Sequence, residues 1–166
     1  MQLFVERIKT PIGALLITHD GKRLANIAFA DREDRRAKEL KRDFPDAELK
    51  RAPERSRFAE VLSRYFAGET HAIDKLPILD VGTQFQKRCW AALRRVPPGT
   101  TRSYGEHARI IGRPNAPRAV GAANGFNPIS IVVPCHRLVG ANGSLIHYGG
   151  GLERKRWLID HEARNA

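Results

Sequence analysis

The chain has 166 residues, 42% of them hydrophobic, and a formal charge of +11. That is enough apolar material for one large domain or two small ones. No apolar run approaches the ~20 residues of a membrane span, and residues 1–9 alternate rather than forming the apolar block of a signal peptide; a soluble cytoplasmic protein with no membrane partner is expected.

Cys89 and Cys135 are the only cysteines, too few for a disulfide scaffold or a Cys-rich zinc site, so both are expected as reduced thiols. The charge is uneven. Residues 1–82 hold 16 Lys and Arg against 14 Asp and Glu, whereas residues 83–166 hold 13 against 4. A second half with so little acid projects a positive field that draws polyanions, and nucleic acid is the first partner to consider, although a basic chain can also be merely soluble.

In chain order, Leu3, Val5 and Ile8 suggest a first strand, Ala14 to Thr18 a second, and Asp20-Gly21 a hairpin turn into a third over Leu24 to Phe29. Three antiparallel strands follow. Asp31 to Phe44 is charged with few apolar residues and reads as an exposed helix. Phe58, Val61, Leu62, Tyr65 and Phe66 have the spacing of an amphipathic helix that stops at Gly68. The stretch 69–82, with Pro77 and Gly82 and no period, reads as a domain junction.

Thr83 and Gln86 form the pattern of a capping box, opening a helix whose apolar face carries Phe85, Cys89, Leu93 and Val96. Ser103 and Glu106 repeat the pattern before a short helix that stops at Gly112. A tight connection then leads to a helix over 116–123, with Asn124-Gly125 as its stop. Helix, short turn, helix is the helix-turn-helix pattern. The second helix is almost all Ala and Gly around one long side chain, Arg118. Composition leaves two readings: close packing inside the protein, or close approach of the backbone to a groove that receives the arginine.

The run Ile129 to Val133 reads as a strand buried on both faces, ended by Pro134 and delivering Cys135 beside His136 and Arg137. A neighbouring imidazole or guanidinium lowers a thiol pKa and makes a nucleophile; a buried structural cysteine is the other reading. Gly149-Gly150-Gly151 could wrap a planar ligand or form a flexible loop, and a last helix is expected from Leu152 to His161, ending in Glu162.

Taken together, Phe85-Gln86, Ser103 to Glu106, Arg118 to Gly121, Asn127-Pro128, Pro134 to Arg137, Tyr148 to Gly151 and His161-Glu162 closely resemble the O6-alkylguanine-DNA alkyltransferases over residues 83–166. The first half resembles the less constrained amino-terminal domain of that family. The resemblance implies an α+β fold, with a small amino-terminal domain of antiparallel sheet plus helix over 1–76. A mainly helical carboxy-terminal domain with the helix-turn-helix covers 77–166. It also implies direct repair of double-stranded DNA, in which Cys135 takes the alkyl group from O6-alkylguanine, and from O4-alkylthymine, in a single turnover. His136 would then act through a water as base, Glu162 would orient it, Asn127 would brace the turn, and Tyr104 would hydrogen-bond the flipped base. Val133, Tyr148, Gly149 and Gly150 would line the pocket beside Tyr104. Arg118, Ala119, Gly121, Ala122 and Asn124 would meet DNA. Family members with structural zinc use amino-terminal cysteines that this chain lacks, so neither metal nor cofactor is expected, and no obligatory protein partner. A DNA-binding regulator would have no use for the thiol beside His136, and a Cys-His-Glu hydrolase no use for a basic helix-turn-helix. A lesion-binding sensor of the alkyltransferase-like type would lack the acceptor Cys135.

Overall fold

The computed structural model describes residues 1–166. They form two compact units, the first made of Met1–Val81 with Pro128–Ser130 and the second of Gly82–Asn127 with Ile131–Ala166.

The first unit is built on a four-stranded sheet. Strands β1 (Gln2–Ile8), β2 (Leu15–His19) and β3 (Leu24–Phe29) are antiparallel neighbours, as their alternating or continuous apolar patterns predict. Asp20 Oδ1 accepts the Lys22 and Arg23 N–H groups at 2.9 and 2.7 Å and closes the hairpin. A fourth strand, β4 (Glu48–Arg51), lies parallel to β1 at the far edge. Its Glu-Leu-Lys-Arg sequence is exposed throughout, so no period-2 pattern announces it.

Strand β3 is buried at every position although it ends the sheet. Its outer edge is covered by short parallel bridges, Leu24 to Ile78 and Ile27 to Ile129. This pairing draws residues 77–81 into the first unit, so the division falls after Val81 and not after Leu76: the Leu24 N–H donates to the Pro77 carbonyl at 2.8 Å, and Leu79 N–H to Leu24 O at 2.7 Å. It also corrects the strand expected over 129–133. Only Ile129 pairs with β3, and Ile131 has φ 74°, which turns the chain out of any ladder. The apolar run reflects burial of Ile131, Val132 and Val133, each 2% exposed or less, and not strand pairing.

A 3-10 turn at Ala30–Arg32 leads into α1 (Glu33–Asp43). This helix is not the wholly exposed one expected: Arg36, Glu39 and Leu40 are buried. Asn26 Nδ2 donates to Glu39 at 2.8 Å, Arg36 Nη2 to Thr18 at 3.3 Å, and Arg35 pairs with Glu39 at 2.9 Å. Polar partners on the sheet let charged residues face inward. Helix α2 (Arg57–Phe66), capped by Ser56, buries Phe58, Leu62 and Tyr65.

The second unit opens with α3 (Gln84–Leu93), where the Thr83/Gln86 capping box is fully formed. Strand β5 (Arg102–Ser103) pairs in parallel with β6 (Leu138–Val139). Helix α4 (Tyr104–Ile110) carries the second complete box, Ser103/Glu106, and α5 (Pro117–Gly125) follows it. Helix α6 (Leu152–Arg164) runs past His161, so Glu162 lies within it. Trp90 fastens α3 to α5 by donating to the Ala123 carbonyl at 2.9 Å.

Gly82 lies under this tryptophan. Its φ is 93°, and an added Cβ would stand 2.6 Å from Trp90 Cζ3. Gly82→Ala is therefore predicted to cost about 2–4 kcal/mol, the strain of a positive φ plus the clash. Gly112→Ala, at φ 78° with nothing within 4 Å, carries the strain alone and should cost about 1 kcal/mol. Chemical denaturation of both variants measures the difference; equal losses would show that Trp90 yields freely.

Candidate active site

Cys135 opens a 3-10 turn, Cys135–Arg137, immediately after Pro134. Pro134 has φ −81° and ψ 65°, the geometry of an inverse γ-turn, and the Cys135 N–H donates to the Val133 carbonyl at 2.8 Å. Two buried carboxamides fix the carbonyls on either side. Asn127 Nδ2 donates to Val133 O at 2.8 Å, and Asn124 Nδ2 to Cys135 O at 3.1 Å. The thiol is thus aimed by backbone held from behind, and Cys135 is 6% exposed.

His136 is fully buried. Its Nε2 stands 2.9 Å from Glu162 Oε2, and Tyr148 meets its ring edge-on at a centroid distance of 6.4 Å. With the Nε2 proton donated to the carboxylate, the basic lone pair is on Nδ1, a buried atom with no protein partner. Burial holds this imidazole below its ordinary pKa, against the pull of Glu162, so it is neutral and able to accept a proton.

Arg137 was expected only as a neighbour that could lower the thiol pKa. It is buried and grips Glu162 instead. Nε donates to Oε1 at 2.9 Å, Nη2 to Oε2 at 2.8 Å, and Nη1 to the Val96 carbonyl. Burial pushes the Glu162 carboxyl up, but His136 and the Arg137 fork outweigh it and hold it well below the usual carboxylate range.

Tyr104, at the first position of α4, donates its hydroxyl to the Ile146 carbonyl at 3.2 Å. Burial keeps its phenol protonated, the nearby Cys135 adds to this, and a hydrogen bond from Asn124 opposes it. Lys155 has no place in the sequence-level site. It is 0% exposed, and burial drags its pKa to about 8 while Cys135 pulls the other way. The signal was present, since Lys155 and Glu162 lie seven residues apart on the same face of α6 as Leu158.

Not every expected residue keeps its assigned place. Asn124, expected among the DNA contacts, is 8% exposed and turned toward Cys135, because it falls on the inner face of α5 with Val120 and Ala123. Val133 contributes its carbonyl, its side chain being 1% exposed. In the triple glycine, Gly151 is the residue at positive φ, 96°, where it turns the chain into α6. Gly149 is half-buried and Gly150 buried. Arg118, Ala119 and Ala122 are exposed and Gly121 is partly so, and a Cβ at Gly121 would meet only ordinary contacts at 3.9 Å. Ala119, Gly121 and Ala122 therefore lie on the outer face of α5, while Ala123 is buried and its carbonyl receives Trp90.

Glu162 compensates Arg137 in a dry interior, so its loss strands a buried guanidinium. Glu162→Gln is predicted to destabilise the protein by about 3–5 kcal/mol at pH 7. The carboxylate pKa is depressed in the fold, so its contribution is complete above the unfolded value of about 4.3 and declines as pH falls below it. The gap between wild type and variant, followed by urea denaturation from pH 7 to 3, should narrow below about pH 4. A constant gap would assign the loss to packing.

The 6-O-methylguanine DNA methyltransferase family matches the chain twice, its ribonuclease-like domain over residues 3–79 and its DNA binding domain over residues 84–164. The methylated-DNA–protein-cysteine methyltransferase of Salmonella typhimurium is 44% identical over 165 residues, 98% of this chain and 96% of that one. The protein of the same name from Mycobacterium leprae is 45% identical over 157 residues, 92% of this chain and 88% of its own. A crystal structure of Mycobacterium tuberculosis OGT in complex with DNA superposes with a TM-score of 0.81 at 39% identity, covering 100% of this chain and 95% of that one. The O6-methylguanine-DNA methyltransferase of Pyrococcus kodakaraensis gives 0.75 at 28% identity, with 96% and 98% covered. With both halves matched in order and relatives this similar along the full length, the chain belongs to the 6-O-methylguanine DNA methyltransferase family.

Proposed function

We propose that this protein repairs alkylated DNA directly, moving the alkyl group from O6 of guanine, and from O4 of thymine, onto Cys135. The reading is carried by one arrangement: a thiol aimed by two carboxamides, next to a neutral His136 whose outer nitrogen is held by a carboxylate that Arg137 clamps.

In this mechanism His136 Nδ1 takes the thiol proton through a water, and Glu162 stabilises the imidazolium that forms. Sulfur attacks the alkyl carbon, the S–C bond forms as the C–O6 bond breaks, and the electron pair stays on the purine. Tyr104 supplies that base with a proton and recovers one from His136, so the thiol proton ends on the restored guanine. No cofactor enters the balance. A stacked base cannot reach a thiol this deeply buried, so the nucleotide must leave the helix, at a cost of a few kcal/mol. Arg118, exposed on the small-residue face of α5, would fill the gap, and the basic second half would hold the phosphates. Tyr148 and the backbone of Gly149 and Gly150 would line the base site. The free thiols at Cys89 and Cys135 suit action in a reducing compartment such as the cytoplasm.

Mixing the protein with a duplex carrying O6-methylguanine should add a single methyl to the peptide containing Cys135, with product limited to one equivalent. Cys89, whose thiol burial pushes up to about 11, should stay unmodified. Cys135→Ser should abolish transfer and keep DNA affinity. Continued product formation beyond one equivalent, or transfer by the serine variant, defeats the proposal; unaltered lesion bound tightly by wild type would identify a sensor.

Arg118→Ala is expected to slow repair of duplex by about tenfold or more while sparing transfer from free O6-benzylguanine, because only the duplex needs its base extruded. Equal losses on both substrates would remove the extrusion role.

A further inference from the structure

The sheet of the first unit is covered unevenly on one of its faces. The register places Leu3, Val5 and Arg7 of β1 on the same side as Leu16 and Thr18 of β2 and Leu49 and Arg51 of β4. Helix α1 lies over part of that side, where Leu40 packs with Leu3 and Arg36 reaches Thr18. The rest is open. Val5, Leu16 and Leu49 line a cavity of about 770 Å³ there, and Leu49 is 47% exposed.

Two features of this surface call for a ligand. The first is charge. Arg51 pairs with Val5, two residues from Arg7, so the two guanidinium groups share the open face. Both arginines are exposed, and neither has an ionic or hydrogen-bonding partner. Of the acids that line the cavity, Glu6 is committed to His19 at 3.0 Å and to the Ser56 N–H at 3.2 Å, and Glu54 lies in the segment beyond β4. The second feature is backbone. Strand β4 ends the sheet. The Glu48 N–H donates to Met1 O and the Ala52 N–H to Val5 O, each at 2.9 Å. Even-numbered residues of β4 therefore turn their peptide groups toward β1, and the N–H and C=O groups of Leu49 and Arg51 point outward. Charge at Lys50 and Arg51 protects such an edge against most strands and attracts an acidic one.

We propose that β4 and the cationic face beside it are a docking site for an extended acidic segment of a partner protein, which adds to the sheet as a fifth strand. The free peptide groups of Leu49 and Arg51 hold its backbone. An apolar side chain opposite Leu49 covers the cavity floor, and acids two residues away on the same face meet Arg51 and Arg7. The recognised pattern is thus acid and apolar residues at alternate positions. Single-stranded nucleic acid fits this surface less well, because no residue lining the cavity is aromatic and bases have no platform on which to stack.

The test uses full-length protein and a fluorescein-labelled peptide, Thr-Glu-Thr-Leu-Thr-Glu-Thr, whose symmetrical pattern suits either strand direction. Binding is followed by anisotropy at ~0.15 M salt. Wild type should bind this peptide about tenfold or more tightly than its counterpart with Lys for Glu, the scale of a charged hydrogen bond. Arg51→Glu should reverse that preference, and Arg7→Glu should weaken the acidic peptide about tenfold. Leu49→Pro removes an outward N–H that the sheet does not use; it should weaken binding about tenfold and leave the circular dichroism unchanged. Undamaged duplex and oligo-dT should not displace the peptide. The proposal is overturned if wild type does not bind, if the three variants bind as wild type does, or if either nucleic acid displaces the peptide, which would reduce the attraction to net charge or assign the site to nucleic acid. Sedimentation showing a dimer that Leu49→Pro abolishes would overturn it too, since the occupant of the edge would then be a second copy of this chain.

Discussion

The second unit depends on a carboxylate with almost no access to water. Glu162, 1% exposed, is the acceptor for both His136 and the Arg137 fork, and the third nitrogen of that fork reaches the Val96 carbonyl just beyond α3. Burying a lone carboxylate or guanidinium costs several kcal/mol, so each is stable only because the other is placed to meet it. The pair thereby locks α6, the turn at Cys135 and the region following α3 to one another. An apolar trio could pack as tightly, but it could not fix the His136 tautomer. A fixed carboxylate accepting the Nε2–H leaves Nδ1 as the basic nitrogen, which ties a structural constraint to a chemical one.

The thiol is oriented differently, by backbone. Asn124 and Asn127 each donate an amide proton to a backbone carbonyl, and the inverse γ-turn at Pro134 sets the direction in which Cys135 leaves the chain. Carboxamides suit this task because they remain neutral at any working pH and bring no net charge beside the sulfur. Tyr104 and Lys155 meet at the Ile146 carbonyl on the side of the site formed by α4 and α6. One set of donors holds the backbone around Cys135, and another meets at the Ile146 carbonyl.

The parts of this arrangement that are legible in sequence are those decided within a few residues. The two capping boxes and the Asp20 hairpin are local patterns, and each takes its expected form. What escapes is decided by distant partners. Strand β4 is exposed and charged, and exists because β1 offers an edge; Arg36 and Glu39 turn inward because Thr18 and Asn26 await them on the sheet. The run before Cys135 shows the same limit from the other side. Its β-branched residues report burial, and burial alone does not distinguish a ladder from a turn with Ile131 at positive φ. Asn124 stands near the end of a small-residue helix and so looks like surface; only the phase of α5 turns it toward the Cys135 carbonyl.

The same array explains why transfer would be one-way. Forming the S–C bond needs a deprotonated sulfur, and a neutral His136 backed by Glu162 can provide it. Breaking that bond by attack on carbon would require thiolate to leave, and a base near the sulfur gives no help to a leaving group. Nor is a thioether open to reduction in the way a disulfide or sulfenic acid is. Cys89 cannot stand in, because it faces the apolar side of α3 with its thiol pushed up to about 11. What would make Cys135 a good acceptor, burial in a dry cluster with a proton acceptor close by, would therefore also leave the product without an exit.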